Sequence, residues 1–158
     1  MGTAYVDNIK EHSSGHGVHI PGHIIQIQKS VIFGNTQATS STYLDVGHSL
    51  RITPKFANSQ ILLQNYAAGW HYNAGSPNSR GLRITRNGTE LVTQDGQGYT
   101  EDGAWASMSW VTAFFDTTHN STSELEYRIL INGNRARFND WAGYQQNTAT
   151  FLAMEIAQ

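Results

Sequence analysis

Residues 82–93 read LRITRNGTELVT, and this stretch decides the fold. Leu82 and Ile84 alternate with Arg83 and Thr85, the period-two pattern of a strand buried on one face. Asn87-Gly88 follows as a two-residue turn, because both central positions of a type I′ turn need positive φ. Thr89 to Thr93 is the return strand. The same alternation recurs along the chain. Ile25 and Ile27 alternate with Gln26 and Gln28, with Val31 and Phe33 in the same parity. Leu50 and Ile52 alternate with Arg51 and Thr53 before Pro54. Leu125, Tyr127, Ile129 and Ile131 alternate with Glu124, Glu126 and Arg128. The turn clusters GNTQATSS, AGSPNSRG, THNSTS and INGN separate these runs, and no segment carries a helical apolar stripe. The pattern predicts an all-β, antiparallel β-sandwich or jelly-roll-like head of roughly eight to ten strands.

A chain of 158 residues makes one ordinary domain. A formal charge of −2, with only 14% charged residues, excludes the broad basic surface of a general nucleic-acid or anionic-membrane binder. No apolar run approaches the ~20 residues of a membrane span, so no membrane insertion is expected. The absence of cysteine excludes disulfides, zinc ribbons and thiol chemistry. Residues 1–22 are polar and histidine-rich, ending at Pro21-Gly22. They read as an extended stalk or linker leading into a head domain at 23–158.

Two segments break the alternation. In WASMSWVTAFF, Trp105 to Phe115, one parity carries Met108, Trp110 and Phe114 and the other Trp105, Val111, Ala113 and Phe115. In TFLAMEIAQ, Leu152, Met154 and Ile156 oppose Phe151, Ala153 and Ala157, with Glu155 interrupting. Strands apolar on both faces are covered on both faces, whereas a lone two-layer sandwich covers one. An oligomer is therefore expected, with Met108, Trp110, Phe114, Phe151, Leu152 and Met154 lining the contact between copies. Coverage by long loops is the alternative.

Enzyme signatures are missing: there is no G-x-S-x-G elbow, H-E-x-x-H, P-loop or complete G-x-G-x-x-G, and the expectation is a non-enzyme without a cofactor. Glu124 and Glu126 share a strand face beside Arg128, which reads as a solvated face rather than an acid/base pair. Three loops instead bring aromatic rings together with planar polar groups: His71, Tyr72 and Arg80; Tyr99, Glu101 and Asp102; Arg137, Asn139, Asp140, Trp141 and Tyr144. Flat rings accept the C–H face of a pyranose, and amides, carboxylates and guanidinium groups pair with its hydroxyls, so these residues are the candidate glycan site. The alternative for the indoles is plugging the ends of the sandwich.

The run SGHGVHIPGHIIQIQKS, followed by STYLDVGHSLRITPKFANSQILLQ, RGLRITRNGTEL and a terminal FLAMEIAQ, resembles the C-terminal receptor-binding heads of tailed-bacteriophage tail fibres of the marine-phage type. The resemblance covers the strand framework from about His23 onward, and the loops match no pattern from which binding residues transfer. It implies a homotrimer at the tip of a virion fibre, outside the cell, recognising host surface polysaccharide or lipopolysaccharide. Around a threefold axis, one histidine per chain gives three nitrogen ligands and two give six. His16 and His19 are thus candidate ligands for a transition metal, although an i, i+3 spacing in a strand points the rings to opposite sides. A structural decoration or trimerisation domain, a glycan depolymerase and a secreted lectin are the alternative readings.

Overall fold

A computed structural model describes residues 20–72, 80–96, 105–133, 135–140 and 148–158. These residues form ten strands: β1 (Ile24–Ile32), β2 (Thr36–Ala38), β3 (Leu44–Ile52), β4 (Gln60–Tyr72), β5 (Leu82–Arg86), β6 (Thr89–Gln94), β7 (Trp105–Asp116), β8 (Leu125–Ile131), β9 (Ala136–Phe138) and β10 (Ala149–Ile156). They make two antiparallel sheets, and the chain is a β-sandwich. The larger sheet runs β1-β10-β4-β9-β2, with β7 on the other side of β4; the smaller runs β3-β8-β5-β6. Asn87 and Gly88 have φ of 49° and 82°, as the hairpin turn between β5 and β6 requires. At the head of the larger sheet the Gly22 N–H bonds to Ala157 and the Ala157 N–H to His23, so sheet bonding reaches back to the end of the polar leading segment.

Alternation becomes burial. Leu125, Tyr127, Ile129 and Ile131 of β8 meet Ile61, Leu63 and Ala67 of β4 and Phe151 and Ala153 of β10 in one core. Each fully buried Ile, Leu or Phe there contributes roughly 1.5–3 kcal/mol relative to an exposed one. The core also holds polar groups with defined partners. Asp116 accepts bonds from Arg86 Nη1 (2.6 Å) and the Tyr127 hydroxyl (2.8 Å), tying β7 to β5 and β8. Burial alone would raise the Asp116 pKa, but bonds from Thr118, Tyr127 and Arg86 outweigh it and hold the carboxylate below its ordinary range.

The two-sided strands resolve by parity, and the expected subunit contact is corrected there. Met108, Trp110 and Phe114 face inward, with Trp110 fully buried; Phe151 is likewise buried in this chain's own core. The reason for the β7 parity is a single long-range contact. The Trp110 indole crosses over Gly69 of β4 and donates from Nε1 to the Arg137 carbonyl of β9 (2.8 Å), with its ring tilted against Phe138. Of the six residues expected at the contact, Leu152 and Met154 point outward, with Val111 and Phe115 of β7 beside them.

Gly69 permits that crossing. A Cβ there would fall 2.5 Å from the Arg137 carbonyl oxygen and closer still to the indole nitrogen. The obstacle includes backbone, which yields little. Gly69→Ala is expected to destabilise the fold by about 2–3 kcal/mol, read by urea denaturation. An unchanged midpoint contradicts the crossing.

Candidate functional site

The outer faces of the two sheets differ in chemistry. On the smaller sheet, Arg51 pairs with Glu124 (3.2 Å) and Glu126 (2.9 Å), Arg128 with Glu126 and Asp45 (both 2.8 Å), and Arg83 with Glu90 (3.1 Å). Bonds from Arg128 and Arg51 hold the Glu126 carboxylate below its usual range. Glu124 and Glu126 thus belong to a ladder of exposed ion pairs, the covering of a sheet that faces water.

The larger sheet presents the opposite surface. Register places Ile27, Met154, Leu62 and Phe115 in one row across β1, β10, β4 and β7. Val31, Thr150, Tyr66 and Val111 form another, and Ile24 pairs with Ile156 beyond the first. Ile27 is 55% exposed, Phe115 49%, Tyr66 46% and Val111 45%. Between these two rows lies a mixed one, Lys29, Leu152, Gln64 and Ala113, in which Lys29 is the one charged side chain. At ~4.8 Å between strands and ~6.6 Å between outward residues, the face carrying these rows covers roughly 400 Å², within the roughly 300–600 Å² of the largest apolar patch on a typical monomer, a patch that is often functional.

The upper end of the same sheet is aromatic and polar. Tyr72 pairs with Trp105 at the strand ends, and Trp70 lies between Ser107 and Arg137. Arg137 donates from Nε to Gln37 Oε1 (3.0 Å) and from Nη1 to Asp140 Oδ2 (2.8 Å). The Arg135 guanidinium sits 5.0 Å from the Tyr72 ring centroid, and Arg135 itself has φ of 55°. Trp70, Tyr72, Arg135, Arg137 and Gln37 therefore form one platform, with the buried Asp140 carboxylate paired to Arg137. Tyr72, Arg137 and Asp140 are among the residues expected at the glycan site, and of these Asp140 is buried. Trp70, Arg135 and Gln37 join them only in three dimensions, Gln37 because register alone brings β2 beside β9.

Three other expected binding residues turn inward. His71 and Arg80 are buried, and Arg80 donates from Nη2 to the Tyr72 carbonyl (3.0 Å). Asn139, with φ of 56°, donates from Nδ2 to the Ile32 and Gly34 carbonyls (3.2 and 2.8 Å), fastening β9 to the end of β1. These three are corrected from glycan contacts to groups that serve main-chain acceptors or the interior. Tyr99, Glu101, Asp102, Trp141 and Tyr144, and the metal candidates His16 and His19, lie outside the described residues. Among the described residues no cluster of His, Asp and Glu is set to hold a metal ion, and no helix is long and apolar enough to cross a membrane.

One buried trio has the composition of a hydrolase site. Ser59 Oγ lies 2.7 Å from Glu155 Oε1 and 3.5 Å from His119 Nε2. The hydroxyl is also 2.7 Å from the Phe56 carbonyl, while His119 Nε2 lies 2.8 Å from the Ser59 carbonyl. The hydroxyl proton has two acceptors nearer than the imidazole, and Ser59 is buried, so the trio fastens the β3–β4 connection instead of activating a nucleophile.

No family model and no curated protein matches the chain. Among solved structures, the chain is similar to the VP2 subviral particle of infectious bursal disease virus, at 14% identity and a TM-score of 0.42, covering 99% of this chain and 41% of that one. It is similar to the structure of infectious bursal disease virus Gx strain at 14% identity and a TM-score of 0.37, covering 85% of this chain and 37% of that one. Dimeric latent PorU from Porphyromonas gingivalis matches at 10% identity and a TM-score of 0.32, covering 90% and 14%. The chain thus spans about two-fifths or less of these proteins, and the likenesses assign it neither family nor function.

Proposed function

We propose that this chain is a non-enzymatic attachment module of a virion, the head of a tail fibre. Copies assemble through the apolar face of the larger sheet, three to a fibre, and each offers its platform end to a polysaccharide or lipopolysaccharide on a bacterial surface. The observation that carries this reading is the contrast between the two outer faces. A sandwich that covers the outer face of one sheet with ion pairs and leaves that of the other largely apolar has one side for water and one for a partner. The order of strand motifs, similar to fibre heads, supplies the setting, outside the cell at the fibre tip.

The platform suits the ligand. Trp70 and Tyr72 supply flat apolar surface, and Arg137 and Gln37 supply donors and acceptors for hydroxyls, with the buried Asp140 orienting Arg137. Weak sites repeated on each copy combine through multivalency, so a millimolar contact still holds a particle on a cell. Tyr72→Ala with Arg137→Ala is expected to reduce adsorption to host cells at least tenfold, and Trp141→Ala with Tyr144→Ala to do the same. Both pairs should leave the melting temperature within about 5 °C. Adsorption unchanged in both double variants ends the glycan assignment. The internal pairing of Arg137 with Asp140 and Gln37 favours one second reading, a decoration or trimerisation domain whose aromatic residues only pack; failure of the assembled wild type to bind any cell or glycan array selects it.

A further inference from the structure

Among the described residues, β7 bonds to β4 on one side and to no strand on the other. The remaining edges are each blunted. β1 carries a bulge between Ile24 and Gln26 and an exposed Lys29. β2 is three residues long. β3 breaks register between Asp45 and Ser49, where Gly47 takes φ of 73°, and carries Arg51. β6 holds an extra residue at Leu91, opposite Ile84/Thr85, and an exposed Glu90. Bulges and charges of this kind keep edge strands from pairing with other chains. β7 has neither: it pairs with β4 over twelve consecutive residues without a register shift, and Trp105 to Phe115 contains no charge and no proline.

The unpaired side can be assigned. The Asn65 side-chain amide reaches the Trp110 carbonyl oxygen (2.9 Å), so that oxygen faces β4. In an antiparallel ladder the direction alternates by residue. The N–H and C=O groups of Ser107, Ser109, Val111, Ala113 and Phe115 therefore point away from β4. We propose that β7 is an assembly edge, on which the β7 of a second copy adds antiparallel about a twofold axis at Val111. Identical uncharged strands meet there without repulsion. In this register Ser109 faces Ala113 and Ser107 faces Phe115 of the other copy, and small side chains oppose larger ones. The five outward residues of each copy provide about ten main-chain bonds, as many as a standard protein interface carries. The larger sheets of both copies join, and their apolar faces become continuous. This contact is separate from the proposed function: it needs no glycan, and combined with a threefold face contact it gives six copies in dihedral symmetry.

The chain has no cysteine, so single introduced thiols report contacts cleanly. Paired residues at this position lie ~5.5 Å apart between Cα atoms, within disulfide range. Val111→Cys is expected to form a linked dimer under mild oxidation far faster than the exposed control Ser123→Cys. Ser109→Cys and Ala113→Cys should each stay unlinked alone and link to one another when co-expressed. Ala113→Pro, which removes an outward donor and leaves the β4 ladder intact, should halve the solution mass. Val111→Cys linking no faster than the control overturns the proposal, as does its linking without the co-expressed pair. A trimer with neither linkage overturns the edge contact and leaves the face contact standing. A linked dimer whose mass is unaffected by Leu62→Glu with Met154→Glu supports the edge and removes the face contact.

Discussion

Replacing Trp110 by alanine is expected to cost about 3–5 kcal/mol of folding stability, the largest effect of any single side chain here. The indole is fully buried, spans from β7 across Gly69 to β9, and packs against Phe138. Its loss opens a cavity between two strands that are not paired with each other and leaves the Arg137 carbonyl without its indole donor. Whole domains have only about 5–15 kcal/mol in hand, so the variant should unfold at a much lower urea concentration, with its melting temperature down by roughly 10 °C. Trp110→Phe should recover part of the packing but not the hydrogen bond. A Trp110→Ala variant that keeps its stability and loses only self-association would return the residue to the subunit contact expected from sequence.

Glu155→Ala comes next, at about 3–5 kcal/mol. This buried carboxylate accepts bonds from the Lys55 N–H (2.8 Å), the Phe56 N–H (3.0 Å), Ser59 Oγ (2.7 Å) and Gln26 Nε2 (2.6 Å). It gathers the connection between β3 and β4 onto β10 and the start of β1. Removing it leaves two main-chain donors without their acceptor in the interior, each costing about 1–3 kcal/mol. Burial by itself would raise its pKa, but the bonds from Lys55, Gln26, Ser59 and Phe56 prevail and lower it from 4.5. A depressed folded pKa means that the unfolded chain binds the proton more tightly. The contribution is complete above about pH 4.5 and is lost as pH falls through the folded value. Asp116 acts in the same direction. Glu155→Gln should therefore be less stable at pH 7 and show a shallower decline below pH 4.5; a wild-type-like acid profile in that variant contradicts the assignment.

These two residues mark where sequence reading stops. The hairpin at Asn87-Gly88 and the strands around Leu50, Leu82 and Leu125 were legible because their signals are local: a turn that tolerates positive φ, and alternation within one strand. The parity of β7 was not, because both parities are apolar and the deciding contact joins residues 27 positions apart, Trp110 and Arg137. β2 and β9 are three residues each, too short to show a period. Glu155 reads as an interruption of an apolar face until the donors of residues 55–59 are seen around it. Tyr72, Arg137 and Asp140 were found because aromatic rings beside charged groups are a compositional signal. His71, Arg80 and Asn139 carry the same signal, yet point to the interior or to carbonyls at strand ends, a demand visible only in three dimensions.

The central claim is that the row Ile27, Met154, Leu62 and Phe115 is covered by another copy of this chain. Light scattering on the wild type and on Leu62→Glu with Met154→Glu, both at tens of micromolar, tests it most directly. The wild type should have the mass of an oligomer, and the variant a lower mass with its circular dichroism spectrum unchanged, since both side chains point outward. A monomeric wild type, or a variant of unaltered mass, contradicts the claim.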